Sequence, residues 1–521
     1  MTVEDTTITS ASATPMTHKQ ILQALSGLYI GIFVAILSST VVTNALPTIV
    51  ADLHAGQSVY TWVITSTLLA TTVSSPVWGK LADLVSKKLL IQIALIIFTG
   101  GSVLSGLSSG AGLLIAARVV QGIGAGGLLA LIQVIIATMI PPRELGRYSG
   151  YFGAVFAVGT SAGPLVGGLI VDTDWLGWRW CFFVGVPFAV AALIVLQKTL
   201  NLPVAKGSVR IDWAGAGLLT AAASLLLIWV SLAGDAYPWL SWQTAALLGG
   251  TLVLALAFIG VERRAKAPVL PLWLFRTRTV VLAITAGLAI GVALYAATTY
   301  LSQYFQLAEG KTPTLAGILG LPLILSLALA SAIAGRIITA TGRWKPLLVS
   351  GTVLITAGLA LLGFTQRDTP YWQLALAMAL LGLGLGVTLQ NLVLAVQNQV
   401  SPRELGAASA SVSFFRTLGG TIGVSALGAV LAGRVGHLIT DGLTMLGIPV
   451  AGGGSSLSRP ADLPAPVRAV VEDAYGQAIG GIFQYAVPLA LVALVCVLFI
   501  REVPLRTSNA VAAAGPVDGS R

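Results

Sequence analysis

Apolar runs of about 20 residues recur down this 521-residue chain, parted by short polar connectors. About 20 helical residues cross the hydrocarbon core of a bilayer, whereas a barrel strand needs only about 10. Within that core every backbone N–H and C=O must be satisfied internally, which a helix does by itself. The chain is therefore expected to be an all-α polytopic membrane protein. Fourteen runs qualify, near 24–46, 59–78, 89–108, 112–138, 148–170, 180–197, 213–233, 243–261, 280–301, 315–339, 346–364, 372–397, 406–431 and 479–500. Charged residues make up 9% of the chain, against about 25% in soluble domains.

The net charge of +10 does not point to nucleic acid, because the basic residues lie between apolar runs and not on one domain. They report sidedness instead. With the N-terminus inside, the inner connectors carry twenty-one Lys and Arg and the outer connectors six; Arg118 and Arg416 fall inside spans. Basic connectors stay in the cytoplasm, so both termini are expected there, in a plasma or inner membrane. Cys181 and Cys496, with the scattered His18, His54 and His437, form neither a disulfide framework nor a metal site. No cofactor is expected, and the working unit is expected to be a monomer. Residues 1–20 lack the basic start of a secretory signal, so the first run is expected to remain as a span.

A short charged phrase is written twice. Pro142–Gly146 reads PRELG and recurs as Pro402–Gly406, 260 residues later. Gly122, Gly124 and Gly126 keep the same offset to Gly382, Gly384 and Gly386, as do Gly159, Gly163 and Gly168 to Gly419, Gly423 and Gly428. Such a register implies two copies of one unit. Eight spans separate the PRELG connectors, so the copies point the same way and are parallel repeats about an axis along the membrane normal. The expected organisation is a cytoplasmic tail 1–20, a six-helix bundle 21–198, a linker 199–278 with two extra membrane helices, a second six-helix bundle 279–505 with a long outer loop 433–478, and a tail 506–521.

The local motifs resemble those of the major facilitator superfamily. GKLADLVSKK, Gly79 to Lys88, looks like its loop between spans 2 and 3, and GRIITATGRWK after span 10 is a shorter echo. RVVQGIGAGG, Arg118 to Gly127, resembles its span-4 motif, and GTSAGPLVGG, Gly159 to Gly168, its antiporter-associated span-5 signature. LSSTVVTNALPTI, WRWCFFVGVP, YLSQYFQLAEGKTPTLAG and FFRTLGG are similar to the fourteen-span drug:proton antiporter branch. The resemblance covers residues 20–505. It implies a transporter, not an enzyme, that exports hydrophobic or amphipathic compounds by alternating access against proton influx. It also implies that Arg118 takes part in proton coupling.

Each motif also has a physical reading. Gly159, Gly163 and Gly167 share one helix face, and Pro164 can bend that helix. The face is either a pliable seam between the halves that sets gating or plain close packing. Asp83, Lys87 and Lys88 sit in a short inner loop after Gly79. They can pair with another helix end or with Arg143, Glu144 and Arg147. Arg143 with Glu144, and Arg403 with Glu404, place one base and one acid in each PRELG loop. The expectation is one inner latch per repeat; the plainer alternative is two solvated turns.

Arg118 and Arg416 are costly inside spans and must face protein or water; Arg416 can equally serve by bonding a neighbour's carbonyls. The branch commonly has an acid at the second position of the span-1 signature, where this chain has Ser38. No acid lies mid-span, so proton coupling falls to Asp52 and Asp83 at the cavity mouths, with Arg118, or to protonation of the cargo itself. The cavity wall is expected to draw on Ser38, Asn44, Gln121, Gln133, Tyr295, Gln390, Asn391, Gln397, Asn398 and Arg416. Polar uncharged groups on apolar walls suit an amphipathic small molecule, although any one amide can instead bond a neighbouring helix. An importer on the same fold is the rival reading. A membrane enzyme lacks its acids, histidines or metal, and a receptor lacks an added sensory domain.

The sidedness is testable. A cysteine placed at Gly454 should react with an impermeant thiol reagent in intact cells, and one at Ser208 should not. The reverse labelling overturns the topology.

Overall fold

The computed structural model describes residues 18–53, 57–140, 142–171, 173, 175–200, 212–233, 237–265, 268–401, 404–448 and 463–506. The first bundle contains α1 (His18–Asp52), α2 (Gln57–Leu84), α3 (Lys87–Gly106), α4 (Ala111–Met139) and α5 (Pro142–Val171), with α6 (Trp180–Phe183) and α7 (Val186–Thr199) together forming the sixth crossing. Two more helices follow, α8 (Trp213–Leu232) and α9 (Trp242–Glu262). The second bundle starts with α10 (Arg278–Gln303), which runs into a π turn at Tyr304–Ala308. Next come α11 (Pro313–Leu319) and α12 (Leu321–Thr341) as one crossing, α13 (Lys345–Leu362), α14 (Tyr371–Gln397), α15 (Leu405–Met445) and α16 (Ala465–Phe499).

Thirteen of these crossings are long and apolar enough to span a membrane. The fourteenth, α2, has the length but carries nine Ser and Thr. Its hydroxyls serve as glue. Thr67, Thr71, Ser74 and Ser75 donate to the carbonyls of Arg118, Gly122, Ile123 and Gly126 on α4, at 3.1–3.4 Å. Trp78 Nε1 adds a bond to Ile123 at 2.9 Å. Such bonds between membrane helices are worth about 0.6 kcal/mol each, so the ladder acts through its number.

The repeated glycines do the same work in both halves. A Cβ on Gly122 or Gly126 would run into α2, and one on Gly124 into α3. At the matching positions, Gly382 and Gly386 would meet α12, and Gly384 would meet α13. Likewise Gly159 and Gly163 press on α1, while Gly419 and Gly423 press on α10. At Gly122, Gly124, Gly126, Gly382, Gly384, Gly386 and Gly419 the added Cβ would meet backbone atoms, so no larger residue fits there without moving a backbone.

This placement answers the question left open for span 5. Gly159, Gly163 and Gly167 face Ile36, Thr40 and Val41 of α1, inside the first bundle. Their face is close packing within one half, not the seam between halves. The seam on α5 runs through Gly153, beside Ala328 and Ser331 of α12, and Gly168, beside Thr314 of α11. The other seam joins α2 to α15, where Gly79 meets Ala410. The two seams are equivalent under the repeat.

The inserted pair is fastened through α8. Ala216, Leu219, Ala223 and Leu227 of α8 form a buried cluster with Val73 of α2 and with Phe414 and Leu418 of α15. The long loop expected over 433–478 is largely helical among the described residues, because α15 continues to Met445 and α16 begins at Ala465. The two extensions touch where Val470 lies over Gly442, and Arg367 anchors the second through Glu472 at 2.7 Å.

Candidate transport site and gate

Asp83 lies at the end of α2 that carries the basic connectors. Its Oδ1 accepts the N–H of Gly406 at 3.0 Å, and its Oδ2 accepts that of Ala407 at 3.1 Å. Both donors belong to the first turn of α15, where a helix has no internal acceptors and its dipole is positive. The approach depends on two glycines. A Cβ on Gly79 would collide with Ala410 and the Gly406 carbonyl, and one on Gly406 would collide with the Asp83 carboxylate. Gly406 is the last residue of the second PRELG. The loop motif after α2 and the second PRELG are thus partners of each other, across the halves. Of the partners expected for Asp83, the one found is another helix end; the basic residues of both PRELG loops lie outside the described side chains. Burial pushes the Asp83 carboxyl up to about 6, although the two N–H groups and Lys80 and Lys87 pull it down.

The other gate residues do local work. Lys88 Nζ donates to the Gln197 carbonyl at 2.6 Å, fastening α3 to α7. Glu144 is exposed, and Glu404 accepts from Ser401 at 2.7 Å within its own loop. Asp52, at the opposite end, accepts from Trp178 Nε1 at 2.7 Å and stands 3.8 Å from Arg179. Arg403, together with the side chains of Asn44, Arg143, Arg147 and Pro164, lies outside the described residues.

The interior polar residues divide into two groups. In the first group all but Ser38, whose buried hydroxyl has no hydrogen-bond partner among the described residues, are held by structural bonds. Arg118 Nε donates to the Val63 carbonyl at 3.3 Å and Nη1 to Gln121 Oε1 at 2.5 Å. Gln121 in turn donates to Ser102 of α3 at 3.2 Å. Gln397 donates to Ser409 at 2.9 Å, joining α14 to α15. Asn398 holds the C-terminal segment, donating to Pro504 at 3.1 Å and accepting from Arg506 N–H at 3.1 Å. Asn391 donates back to Val387 at 2.6 Å. Ser38 is buried with its hydroxyl against Gly185, between α1 and α7. The second group comprises Gln133 of α4, Tyr295 of α10, Gln390 of α14 and Arg416 of α15. None of these four side chains has a hydrogen-bond partner among the described residues. Their helices come from both halves.

Two six-helix repeats, paired seams and a cross-half contact at Asp83 describe a fold that comparison identifies. The family model of the Major Facilitator Superfamily matches residues 28–424. This chain belongs to the major facilitator superfamily. It is a multi-pass membrane transporter of the drug-efflux type. The multidrug transporter protein MdtP of Bacillus subtilis is 34% identical over 419 residues, covering 80% of this chain and 77% of its own. The efflux pump dotC of Dothistroma septosporum is 31% identical over 503 residues, covering 94% and 85%. Among solved structures, the proton:xylose symporter XylE shares the fold at a TM-score of 0.62 with 14% identity, covering 93% of this chain and 96% of that one.

The gate has a pH dependence of defined sign. Released into water, Asp83 titrates near the ordinary value of about 4. The form with the higher pKa holds its proton more tightly. Acid therefore favours the latched form, fully below about pH 4, and the preference is lost as pH rises through about 6. Spin labels at the exposed Leu89 and Arg343 should report a closed distance population that shrinks from pH 4.5 to 7. Asp83→Asn should flatten the profile. Asp83→Ala leaves two N–H groups without acceptors and should shift the population about tenfold toward the open form. A pH-independent wild-type distribution rules out Asp83 as the titrating group.

Ser38→Asp should cost stability without creating a cation preference, because the carboxylate would be buried against α7. Thermal unfolding of the purified variant checks this. An unchanged melting temperature together with new cation selectivity would place Ser38 in the cavity instead.

Proposed function

We propose that this protein exports hydrophobic or amphipathic small molecules from the cytoplasm by proton antiport, through alternating access. The reading places both termini on the cytoplasmic side of a plasma or inner membrane. The observation that carries it is the Asp83 contact with Gly406 and Ala407. It joins the two halves at one end through two hydrogen bonds to a helix terminus, so it can be broken and remade without unpacking a bundle. The equivalent seams, α2 on α15 and α12 on α5, support rocking of one six-helix unit against the other. The multidrug and efflux names of relatives at about 31–34% identity support export of organic compounds.

Within this mechanism Asp83 closes the cytoplasmic side and releases its proton to the cytoplasm as that side opens. Arg118, tied to Val63 and Gln121, stiffens the contact of α4 with α2 and α3 and acts on coupling through that contact. The bilayer and the proton gradient are the only other partners the reading requires.

Inverted vesicles expressing the protein, energised to an acidic lumen, should accumulate an amphipathic fluorescent dye. Collapse of the pH gradient should abolish accumulation, and Asp83→Ala should reduce it at least tenfold at equal protein level. Dye uptake by intact cells in place of extrusion would establish an importer. Movement indifferent to the pH gradient would remove proton antiport.

A further inference from the structure

Arg416 is the charge in the interior that the fold leaves unbound. It lies 11 residues into α15, about 16 Å from the start of that helix by helical rise, near the middle of a hydrocarbon core about 30 Å thick. Among the described residues no hydrogen bond or ion pair holds its guanidinium, whereas Arg118 is bonded on two sides. The sequence places no carboxylate mid-span on any helix. None of residues 405–429 is exposed, yet Arg416 itself is partly accessible. Arg416 therefore lies on a stretch of α15 that the fold covers.

Two further donors stand beside it. Ser413 lies one turn earlier on the same face, three residues away; it is 2% exposed, and its Oγ has no partner. Tyr295 of α10 lies close enough to act on Arg416 electrostatically. Its ring fills the space left by Gly420, one turn beyond Arg416. The backbones of α10 and α15 approach tightly here, since a Cβ on Gly291 would strike the Arg416 carbonyl. The group is thus a serine hydroxyl, a guanidinium and a phenol, set on two closely packed helices with nothing to accept from them. An arginine's planar fork binds a carboxylate through two parallel bonds. A membrane arginine without a partner is costly, and an anionic ligand relieves that cost.

We propose that Ser413, Arg416 and Tyr295 form an anion-recognising subsite in the transport path, which takes an acidic group of the cargo, a carboxylate in the first instance. This rests on the export reading for its place in the path, but its chemistry is tested separately. The probes are dansylglycine and dansylglycinamide, nearly equal in size and differing in the acid. Binding to the purified full-length protein is followed by fluorescence polarisation. Wild type should bind the acid at least tenfold more tightly than the amide. Arg416→Gln should lose at least tenfold for the acid and leave the amide unchanged, and Arg416→Lys should fall between. Ser413→Ala and Tyr295→Phe, which keep the charge, should each weaken the acid several-fold and not the amide. They carry the test if Arg416→Gln misfolds. Equal affinity of wild type for the two probes, equal loss of both in the variants, or no binding of the acid overturns the subsite. Dye export in inverted vesicles with no preference for the acid would leave the export reading standing and this one refuted.

Discussion

Helices inside a bilayer gain little by hiding apolar surface from one another, since lipid is equally apolar. They hold together where their backbones can come close enough for dense packing and for bonds to carbonyls. In this protein glycine makes that possible. Gly122, Gly124 and Gly126 bring α4 onto α2 and α3, and Gly382, Gly384 and Gly386 bring α14 onto α12 and α13. The α2 hydroxyls then bond across a gap that any side chain on α4 would have filled. The rest of the architecture is arranged around two such three-helix units and the α1·α5 and α10·α15 pairs beside them.

The same device, at one end of the bundle, makes the contact we propose as a gate. Gly79 and Gly406 let α2 and α15 nearly touch, and that proximity delivers Asp83 to the first turn of α15. The carboxylate gains two N–H donors and a helix dipole but loses water. Burial wins, which is why the group titrates near 6 and not near 4. A contact balanced so closely between hydration and hydrogen bonding suits a gate that must open, whereas the apolar cluster joining α8 to α2 and α15 has no such lever.

Polar residues in the spans were expected in the cavity wall or in bonds between helices, and several of them make such bonds. Arg118, Gln121, Gln397 and Asn398 each bond a neighbouring helix or segment, and Ser38 packs against Gly185. A buried polar group is costly unless paired, so pairing is the ordinary fate of an amide in a bundle. The groups that escape pairing are the informative ones, and Arg416 with Ser413 stands first among them.

The sequence by itself determined the class, the number of crossings and the twofold repeat, because span length, connector charge and an offset of 260 residues are linear properties. It also singled out Asp83 and the second PRELG. It could not say that they belong to each other, since Asp83 and Gly406 are far apart in the chain and meet only when α2 crosses α15. Nor could it say where the span-5 glycines point, because a helix face is legible in spacing but its neighbour is not. The extent of α15 and α16 beyond the apolar runs was hidden for a related reason: residues 433–445 and 465–478 are too polar to look like spans, and their helicity follows from packing on each other. Which interior donors remain unpaired was decided by the tertiary structure alone, because pairing depends on every helix at once.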